Sequence, residues 1–291
     1  MKVAVIGPGA MGCLFAARLA RNGIRTTLVD YKPERASRLQ KSGVIVEEAS
    51  GMATARPAVA TQVPPGQDLV LVLTKAYSTA TLRISSEQPV LTLQNGLGNV
   101  ESLCTMVGSS RVVAGTTCEA ATLVAEGHTR HMAPGITQVG SWTSCPTGVA
   151  LEVLRKAGFE VEETDAPGRM VWEKAAINAG INPLTALLNV PNGRLLELRE
   201  TRQLMRDLVV EAAKVAATEG YRFPYSLVER AEDVCKRTGE NISSMLQDVR
   251  AGKRTEIESI SGEILRRAQL ASLPTPRTRV VWQLVKGMEQ R

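Results

Sequence analysis

A glycine-rich turn near the start of the chain constrains the fold more than any other feature. The apolar run KVAVIG (residues 2–7) leads into a segment with the spacing G-x-G-x-x-G, and a stretch with helical periodicity follows. In this context the first glycine permits a tight turn, the second lets backbone approach a pyrophosphate, and the third allows close helix–strand packing. The helix N-terminus offers unpaired N–H groups to phosphates. We therefore predict that a dinucleotide binds at Gly7, Pro8, Gly9, Ala10, Met11 and Gly12.

Strand and helix patterns alternate through the first part of the chain. Near-continuous apolar runs are typical of parallel strands that are buried on both faces. We predict such strands at residues 2–7, 25–30, 68–75, 89–96 and 111–117, and helices at 10–23 and 33–43. The alternation predicts an α/β fold, with an N-terminal doubly wound Rossmann domain over residues 1–165 and right-handed crossovers.

The second part of the chain, residues 166–291, contains only helical patterns. Their periodicity predicts helices at residues 169–180, 199–219, 226–237, 243–251, 257–271 and 277–288. We expect prolines to separate these helices, at positions 183, 191, 224, 274 and 276. An all-helical second domain, which would contain the substrate site, is the prediction for this half.

Charge is distributed unevenly between the two halves. Residues 1–165 hold 15 Lys and Arg against 14 Asp and Glu, and residues 166–291 hold 20 against 15, within a net charge of +6. The excess can steer an anionic small molecule toward the second half. Aromatic residues make up only 3% of the chain, and no basic run is interleaved with stacking residues. This pattern argues against nucleic acid as a partner.

The cysteines and the N-terminal run bear on the compartment. The five cysteines are scattered without a CxxC pair, which favours neither a disulfide framework nor a zinc site and is typical of a reducing compartment. Glycines and Pro8 interrupt the N-terminal run that otherwise imitates a signal peptide. No segment reaches the roughly 18 apolar residues that a membrane span needs. We expect a cytoplasmic enzyme with no metal site and no membrane partner.

Residues after the second strand favour two different dinucleotides. Asp30 ends that strand, and a carboxylate there accepts hydrogen bonds from the adenosine ribose and repels a 2′-phosphate, which favours NADH. Lys32 and Arg35 follow it, and their charges can hold the 2′-phosphate of NADPH. Considered alone, these residues leave both alternatives open.

Polar residues also follow two further strands. Ligands of doubly wound sheets lie outside the carboxyl ends of the strands. Lys75 and Asn95 are therefore candidates for the same cleft, as is the segment 118–121 after the next strand. Asn95-Gly96 is equally typical of a simple turn.

An otherwise apolar helix carries three polar residues at regular spacing. Lys174, Asn178 and Asn182 lie at i, i+4 and i+8 and therefore on one side of the helix. A snorkelling lysine with capping asparagines would also explain them. The segment 239–262 is similarly ambiguous: its Asn241 suits an N-cap region, and its Glu256 suits either a site or one exposed acid on a helix.

Five segments, taken in order, resemble ketopantoate reductase (2-dehydropantoate 2-reductase). They are GPGAMG, LTKAY, LQNGLGN, WEKAAINAGINPLTALLNVPNG and ENISSMLQDVRAGKRTEIESISG, and the resemblance spans essentially the whole chain. It implies a Rossmann domain followed by a helical C-terminal domain like that of 6-phosphogluconate dehydrogenases. It also implies NADPH-dependent reduction of 2-dehydropantoate to (R)-pantoate, on the route to pantothenate and coenzyme A.

The resemblance implies roles for individual residues. The catalytic lysine falls on Lys174 and its partner glutamate on Glu256. Substrate-binding positions correspond to Asn178, Asn182, Asn192, Asn241 and Ser244. Cofactor contacts correspond to Gly7 through Gly12, Lys75, Asn95, Ala121 and Glu256.

One position departs from the family pattern. Many members carry an arginine at the end of the second strand, where this chain has Asp30 and Tyr31. The departure concerns the choice of dinucleotide and leaves the reaction unaffected. With Lys32 and Arg35 nearby, we predict NADPH as the cofactor, with NADH accepted.

Two other functions stay open. One is a related 2-oxo or 3-hydroxy acid dehydrogenase, because substrate pockets vary on a common fold. The other is a dinucleotide-sensing protein without turnover, although a sensor needs no paired lysine and glutamate. The expected partner is a small-molecule 2-oxo acid, and the apolar helical half is consistent with a homodimer.

Overall fold

The N-terminal strand forms the middle of a large sheet. The computed structural model of the chain describes residues 1–84 and 87–290. Its strands are β1 (Lys2–Ile6), β2 (Arg25–Val29), β3 (Val44–Glu48), β4 (Gly51–Ala55), β5 (Ala58–Ala60), β6 (Leu69–Val72), β7 (Val90–Thr92), β8 (Val112–Thr117), β9 (Ala120–Ala125), β10 (His128–Ala133), β11 (Thr137–Ser141) and β12 (Val161–Glu163). An 8-stranded sheet has the order β12-β11-β8-β7-β6-β1-β2-β5.

The pairing within this sheet confirms the Rossmann prediction. From β8 to β5 each neighbouring pair is parallel, and the order reverses between β1 and β6 as in a doubly wound fold. β11 extends the sheet antiparallel to β8, and β12 pairs with β11. The predicted strands correspond to β1, β2, β6, β7 and β8, each shorter than its apolar run.

A second sheet was not predicted from the sequence. It is 4-stranded, with the order β4-β3-β10-β9. None of its strands is buried throughout: β3 reads VIVEE, β10 reads HTRHMA, and the more apolar β9 is partly exposed along its whole length. β3 and β10 are far apart in the chain but pair in parallel, His128 opposite Ile45. Such non-local pairing is set by tertiary contacts, and local periodicity does not reveal it.

The first helix contacts both sheets. The helices of the N-terminal part are α1 (Ala10–Arg21), α2 (Pro33–Ser42), α3 (Asn99–Val107) and α4 (Gly148–Lys156), with 3₁₀ turns at Ala76–Thr81 and Ser109–Arg111. α1 contacts β1 and β2 on one side and β3, β9 and β10 on the other. Its Phe15 is fully buried and stacks on Phe159, with ring centroids 4.1 Å apart. Burial of a side chain of this size stabilises the fold by roughly 1.5–3 kcal/mol.

The chain divides into two compact units. One contains residues 1–94 and 99–170, and the other contains residues 95–98 and 171–291. The remaining helices are α5 (Pro167–Leu188), α6 (Arg194–Glu197), α7 (Arg199–Thr218), α8 (Leu227–Arg237), α9 (Ser244–Arg250), α10 (Glu263–Leu270) and α11 (Pro276–Met288), with a π-helix at Glu258–Gly262. The helical character predicted for this half is confirmed. In the described part of the chain, no helix is both long and apolar enough to cross a membrane.

One expected helix boundary is wrong. Pro183 lies inside α5, which continues to Leu188, although we expected the proline to separate two helices. A proline inside a helix costs about 3 kcal/mol because it removes a hydrogen bond and crowds the preceding turn. Packing of the residues before and after Pro183 compensates for this cost. Leu184 is buried, and Gly180 lies so close to α7 that an added Cβ would be 2.6 Å from Val209. Tertiary packing therefore outweighs the local preference.

A buried carboxylate caps the last helix. Glu211 of α7 is 9% exposed and accepts hydrogen bonds from the N–H groups of Arg277 (3.0 Å) and Thr278 (2.8 Å) and from the Thr278 hydroxyl (2.6 Å). Amides in the first turn of a helix have no partner within the helix, and a negative charge also complements the helix dipole. Glu211 thus supplies from α7 the cap that α11 needs.

Replacing Glu211 by Ala should destabilise the second unit. Two amides and a hydroxyl would lose their acceptor, which we expect to lower the free energy of unfolding by about 1–3 kcal/mol. Urea unfolding followed by circular dichroism measures this loss. The exposed Glu240, changed to Ala, is the control and should shift the free energy by less than about 0.5 kcal/mol. Equal effects of the two substitutions would contradict a capping role for Glu211.

Candidate active site

The glycine turn connects β1 to α1 through backbone geometry that its three glycines permit. Gly7 has a φ of +103°, its N–H donates to the Val29 carbonyl at 3.1 Å, and an added Cβ would lie 2.7 Å from the Thr74 side chain. A Cβ on Gly12 would overlap the carbonyl oxygen of Gly7. Among the described residues, nothing lies within 4 Å of a Cβ added to Gly9. Packing therefore explains why positions 7 and 12 are glycine, whereas the space beside position 9 is open.

The first turn of α1 offers amide groups beside that space. Gly9 is the N-cap, and the Cys13 N–H is the amide that donates to the Gly9 carbonyl, at 2.9 Å. The preceding amides, of Ala10, Met11 and Gly12, come before this first bond of the helix ladder. Such amides, together with the positive end of the helix dipole, suit phosphate oxygens. The turn thus fits the pyrophosphate of a dinucleotide.

Asp30 and Arg35, which favour different dinucleotides, form an ion pair. Asp30 is 2% exposed, and Arg35 on α2 donates to both of its oxygens, with Nη2 2.8 Å from Oδ1. The hydrogen bond to Asp30 raises the pKa of Arg35. The Lys32 N–H also donates to Oδ1, at 3.1 Å. The Asp30 charge is therefore compensated within the protein.

The other predicted cofactor residues of the first unit lie on different elements. Lys75 is the N-cap of the 3₁₀ turn that follows β6, three residues beyond the strand end. Beside it, the Gln94 amide donates to the Thr74 carbonyl at 3.0 Å and to the Thr79 hydroxyl at 2.8 Å, which links the ends of β6 and β7. Ala121 lies within β9, in the second sheet.

A charged cluster that the sequence did not reveal connects this second sheet to α1. Glu119 is buried, its Oε2 is 2.5 Å from His131 Nε2, and its Oε1 is 3.8 Å from Arg18 of α1. Arg18 also donates to Glu48 of β3 at 2.9 Å. The Thr129 hydroxyl donates to the Ala10 carbonyl at 3.1 Å. These bonds hold the β9–β10 hairpin, and with it Ala121, beside the first turn of α1.

In the second unit, the three polar residues of the apolar helix lie on one continuous helix. Lys174, Asn178 and Asn182 all belong to α5, so their predicted spacing along one side is preserved. Asn182 is buried, and Lys174 and Asn178 are half-buried. The alternative that asparagines cap this helix is wrong for Asn182, because α5 continues for six residues beyond it, to Leu188.

The predicted substrate residues Asn192 and Asn241 are held together. The Asn192 N–H donates to the Asn241 carbonyl at 3.0 Å, and the Asn192 side-chain amide donates to the Thr238 hydroxyl at 2.9 Å. Among the described residues, the buried Oδ1 of Asn192 has no hydrogen-bond partner. A buried acceptor without a partner is costly, and this oxygen is therefore a candidate ligand contact.

A serine, and not Asn241, caps α9. The Ser243 hydroxyl accepts from the Leu246 N–H at 3.1 Å and lies 2.7 Å from the Thr185 hydroxyl. Our expectation of an N-cap region at Asn241 was therefore off by two residues. A side-chain oxygen must precede the amide it caps by two or three positions, and Ser243 satisfies this spacing. Ser244 begins the helix and is half-buried.

Glu256 is a buried acid. It is 5% exposed, which contradicts the alternative of an exposed helix residue, whereas the side chain of Glu258 is 42% exposed. The Asn95 amide donates to Glu256 Oε2 at 3.4 Å. The preceding residue, Thr255, donates to Glu289, the residue after α11, from its N–H at 2.8 Å and its hydroxyl at 2.7 Å. The second unit thus brings Asn95 and Glu256 together.

Metal ligation is not a feature of the described residues. Within residues 1–84 and 87–290, no group of three or more His, Cys, Asp and Glu side chains is placed to hold a metal ion. The five cysteines are free thiols.

Known proteins resemble the chain over its whole length. The family model for ketopantoate reductase PanE/ApbA matches residues 3–144, and the model for the PanE/ApbA C terminal matches residues 168–289. The 2-dehydropantoate 2-reductase of Halobacterium salinarum is 37% identical over 297 residues, 98% of either chain.

Solved structures share the fold. A PanE/ApbA family ketopantoate reductase from Ralstonia eutropha has a TM-score of 0.89 at 30% identity, covering 100% of this chain and 99% of its own. D-mandelate dehydrogenase in a ternary structure with NADH and anilino(oxo)acetate has a TM-score of 0.93 at 24% identity, with coverage of 100% and 99%. At that identity the second likeness is one of fold.

Substitutions at Gly9 and Gly12 should separate ligand binding from packing. Gly9→Ala places a methyl group in open space, so we expect nearly unchanged thermal stability and at least tenfold weaker binding of the nicotinamide dinucleotide, by loss of close backbone approach. Gly12→Ala must displace α1 from the turn, so we expect a lower melting temperature even without ligand. Thermal unfolding and fluorescence titration measure the two effects. Tight dinucleotide binding by Gly9→Ala would contradict this division.

Proposed function

The chain belongs to the ketopantoate reductase family, and from this membership we propose that it reduces 2-dehydropantoate to (R)-pantoate in the synthesis of pantothenate and coenzyme A. The observation that carries the proposal is the placement of Lys174 with Asn178 and Asn182 on the apolar helix α5. A nicotinamide dinucleotide serves as cofactor and, when bound, supplies the hydride. The substrate is a small 2-oxo acid.

The residues of α5 suit the chemistry of ketone reduction. When hydride adds to the carbonyl carbon, the electrons of the C=O π bond move to oxygen, which becomes an alkoxide and takes a proton. The Lys174 ammonium stabilises that developing charge and donates the proton. Asn178 and Asn182, on the same side of the helix, can orient the ammonium and the polar groups of the substrate through their donors and acceptors.

We assign substrate binding to Glu256 and to the two segments that carry Asn192 and Asn241. A buried carboxylate is a strong acceptor, and we assign Glu256 to binding of the substrate hydroxyl and of the cofactor. The buried Oδ1 of Asn192 can accept from the same substrate, and we assign Asn241, which is bonded to the Asn192 N–H, and Ser244, at the start of α9, to the same role. The positive charge of this half of the chain favours approach of the anionic acid.

Substrate choice is the direct test of the proposal. Loss of NADPH absorbance is followed with a panel of 2-oxo acids that includes 2-dehydropantoate and phenylglyoxylate, the oxo acid that corresponds to mandelate. We expect the highest kcat/KM with 2-dehydropantoate. A higher value with phenylglyoxylate would assign the chain to the related dehydrogenases, and binding of NADPH without turnover of any acid would identify a sensor.

Lys174→Ala should abolish most of the turnover. It removes the proton donor and the charge beside the oxyanion, so kcat should fall about 10²- to 10⁴-fold while NADPH affinity changes little. Lys214→Ala, on the exposed surface of α7, is the matched control and should retain parental kcat. A Lys174→Ala protein with most of its turnover would indicate that Lys174 only snorkels from the helix.

We propose NADPH as the preferred cofactor, with NADH accepted. Because Arg35 compensates the charge of Asp30, the repulsion of a 2′-phosphate is reduced, and the guanidinium lies at the end of the strand where that phosphate is expected. Lys32 adds a second cation nearby. The ion pair therefore favours NADPH without excluding the ribose hydrogen bonds that NADH uses.

Arg35→Ala should reverse this preference. The substitution removes the cation and exposes the charge of Asp30, so we expect the ratio of kcat/KM for NADPH to that for NADH to fall at least tenfold. Arg38→Ala is the control on the same helix, because Arg38 pairs with Glu126. A parent that prefers NADH, with a ratio that Arg35→Ala leaves unchanged, would show that Asp30 governs the choice.

The cytoplasmic location and the homodimer stay predictions. Light scattering during size-exclusion chromatography tests the second of them.

A further inference from the structure

The short segment 95–98 packs with the helical unit through the π-helix. It lies between β7 and α3 in the chain, but its contacts group it with residues 171–291. Leu97 is buried in the apolar core of that unit, and its N–H donates to the Ser259 carbonyl at 2.7 Å. Ser259 belongs to the π-helix Glu258–Gly262, and single π turns are frequent at functional sites.

Gly96 allows this contact and Gly98 does not participate in it. Both have positive φ, +85° and +83°. A Cβ added to Gly96 would lie 2.5 Å from the oxygen and 2.7 Å from the carbonyl carbon of Ser259, whereas one added to Gly98 would lie 3.5 Å from Glu263, an ordinary contact. The two glycines share a backbone conformation and differ in what they touch.

Ser259 transmits the position of this segment to Glu256. The Ser259 hydroxyl donates to the Glu256 carbonyl at 3.0 Å, and the Ile260 N–H donates to the same oxygen at 3.1 Å. The amide of Asn95, adjacent to Gly96, donates to the Glu256 carboxylate at 3.4 Å. The Glu256 carboxylate is therefore held by the residue that precedes Gly96, and the Glu256 carbonyl is held by the residue on which Gly96 packs.

From these contacts we infer that Gly96 is a positioning residue, which sets the place of the Glu256 carboxylate by allowing segment 95–98 to close onto Ser259. Any side chain at position 96 must move the segment away from the π-helix or distort the helix. Either movement separates Asn95 from Glu256, and displacements of about 1 Å at a reacting group cost up to 10²-fold in rate. The inference rests on the proposed function, in which Glu256 binds the substrate.

The test compares Gly96→Ala with Gly98→Ala in the full chain. Both place Ala at a positive φ, so both should lower the melting temperature, and Gly96→Ala should lower it further because its Cβ also meets Ser259. Gly96→Ala should lower kcat/KM for 2-dehydropantoate about 10- to 100-fold, mainly through KM, and Gly98→Ala should stay within about threefold of the parent. In a Glu256→Ala background, where no carboxylate is left to position, Gly96→Ala should add no more than Gly98→Ala does.

A second variant covers the case in which Gly96→Ala does not fold. Ser259→Ala removes only the hydroxyl that holds the Glu256 carbonyl, and it should raise KM severalfold without changing the fold. Equal kinetics of the two glycine variants, an undiminished Gly96→Ala effect in the Glu256→Ala background, or parental KM in Ser259→Ala would each overturn the inference. If the parent does not reduce 2-dehydropantoate, the proposed function fails, and the comparison proceeds with the 2-oxo acid that the parent reduces fastest.

Discussion

The close contact between α1 and the turn that precedes it is the constraint on which the first unit depends. Gly12 packs directly over the Gly7 carbonyl, and that approach brings α1 against β1 while its other side contacts the second sheet. A helix buried on two sides cannot shift along its axis without disturbing both sheets. Its N-terminal amides are therefore fixed beside the open space at Gly9, so packing and the candidate phosphate site have one geometric origin.

In the second unit, the helix α5 combines a largely buried apolar surface with polar side chains on one side. Most of this helix is apolar and buried, which stabilises it despite Pro183, yet it carries an ammonium and two carboxamides on one side. Buried polar groups are costly unless they find partners, and of these three residues only Asn182 is buried, while Lys174 and Asn178 are half-buried. The same reasoning applies to Glu256 and Asn192, which other segments of the helical unit hold in place.

Buried carboxylates with a hydrogen-bond partner from another element recur among the described residues. Arg35 holds Asp30, His131 and Arg18 hold Glu119, and the first turn of α11 holds Glu211. Partly buried pairs are screened less by solvent than exposed ones, and losing one partner leaves a charge uncompensated. The Asp30–Arg35 pair also has a functional consequence, since the residues that favour opposite cofactors no longer act independently.

Local chemistry in the sequence determined the glycine turn, the parallel strands of the central sheet, the helices of the second half and the spacing of Lys174, Asn178 and Asn182. Each of these follows from periodicity, backbone conformation or motif spacing within one segment. Tertiary structure decided the second sheet, the continuation of α5 through Pro183, the capping of α9 by Ser243 and the burial of Glu256. It also brought Gly96 onto the carbonyl of Ser259. These features depend on which distant segments meet, and a sequence read in local windows does not contain the free energy of contacts between residues far apart in the chain.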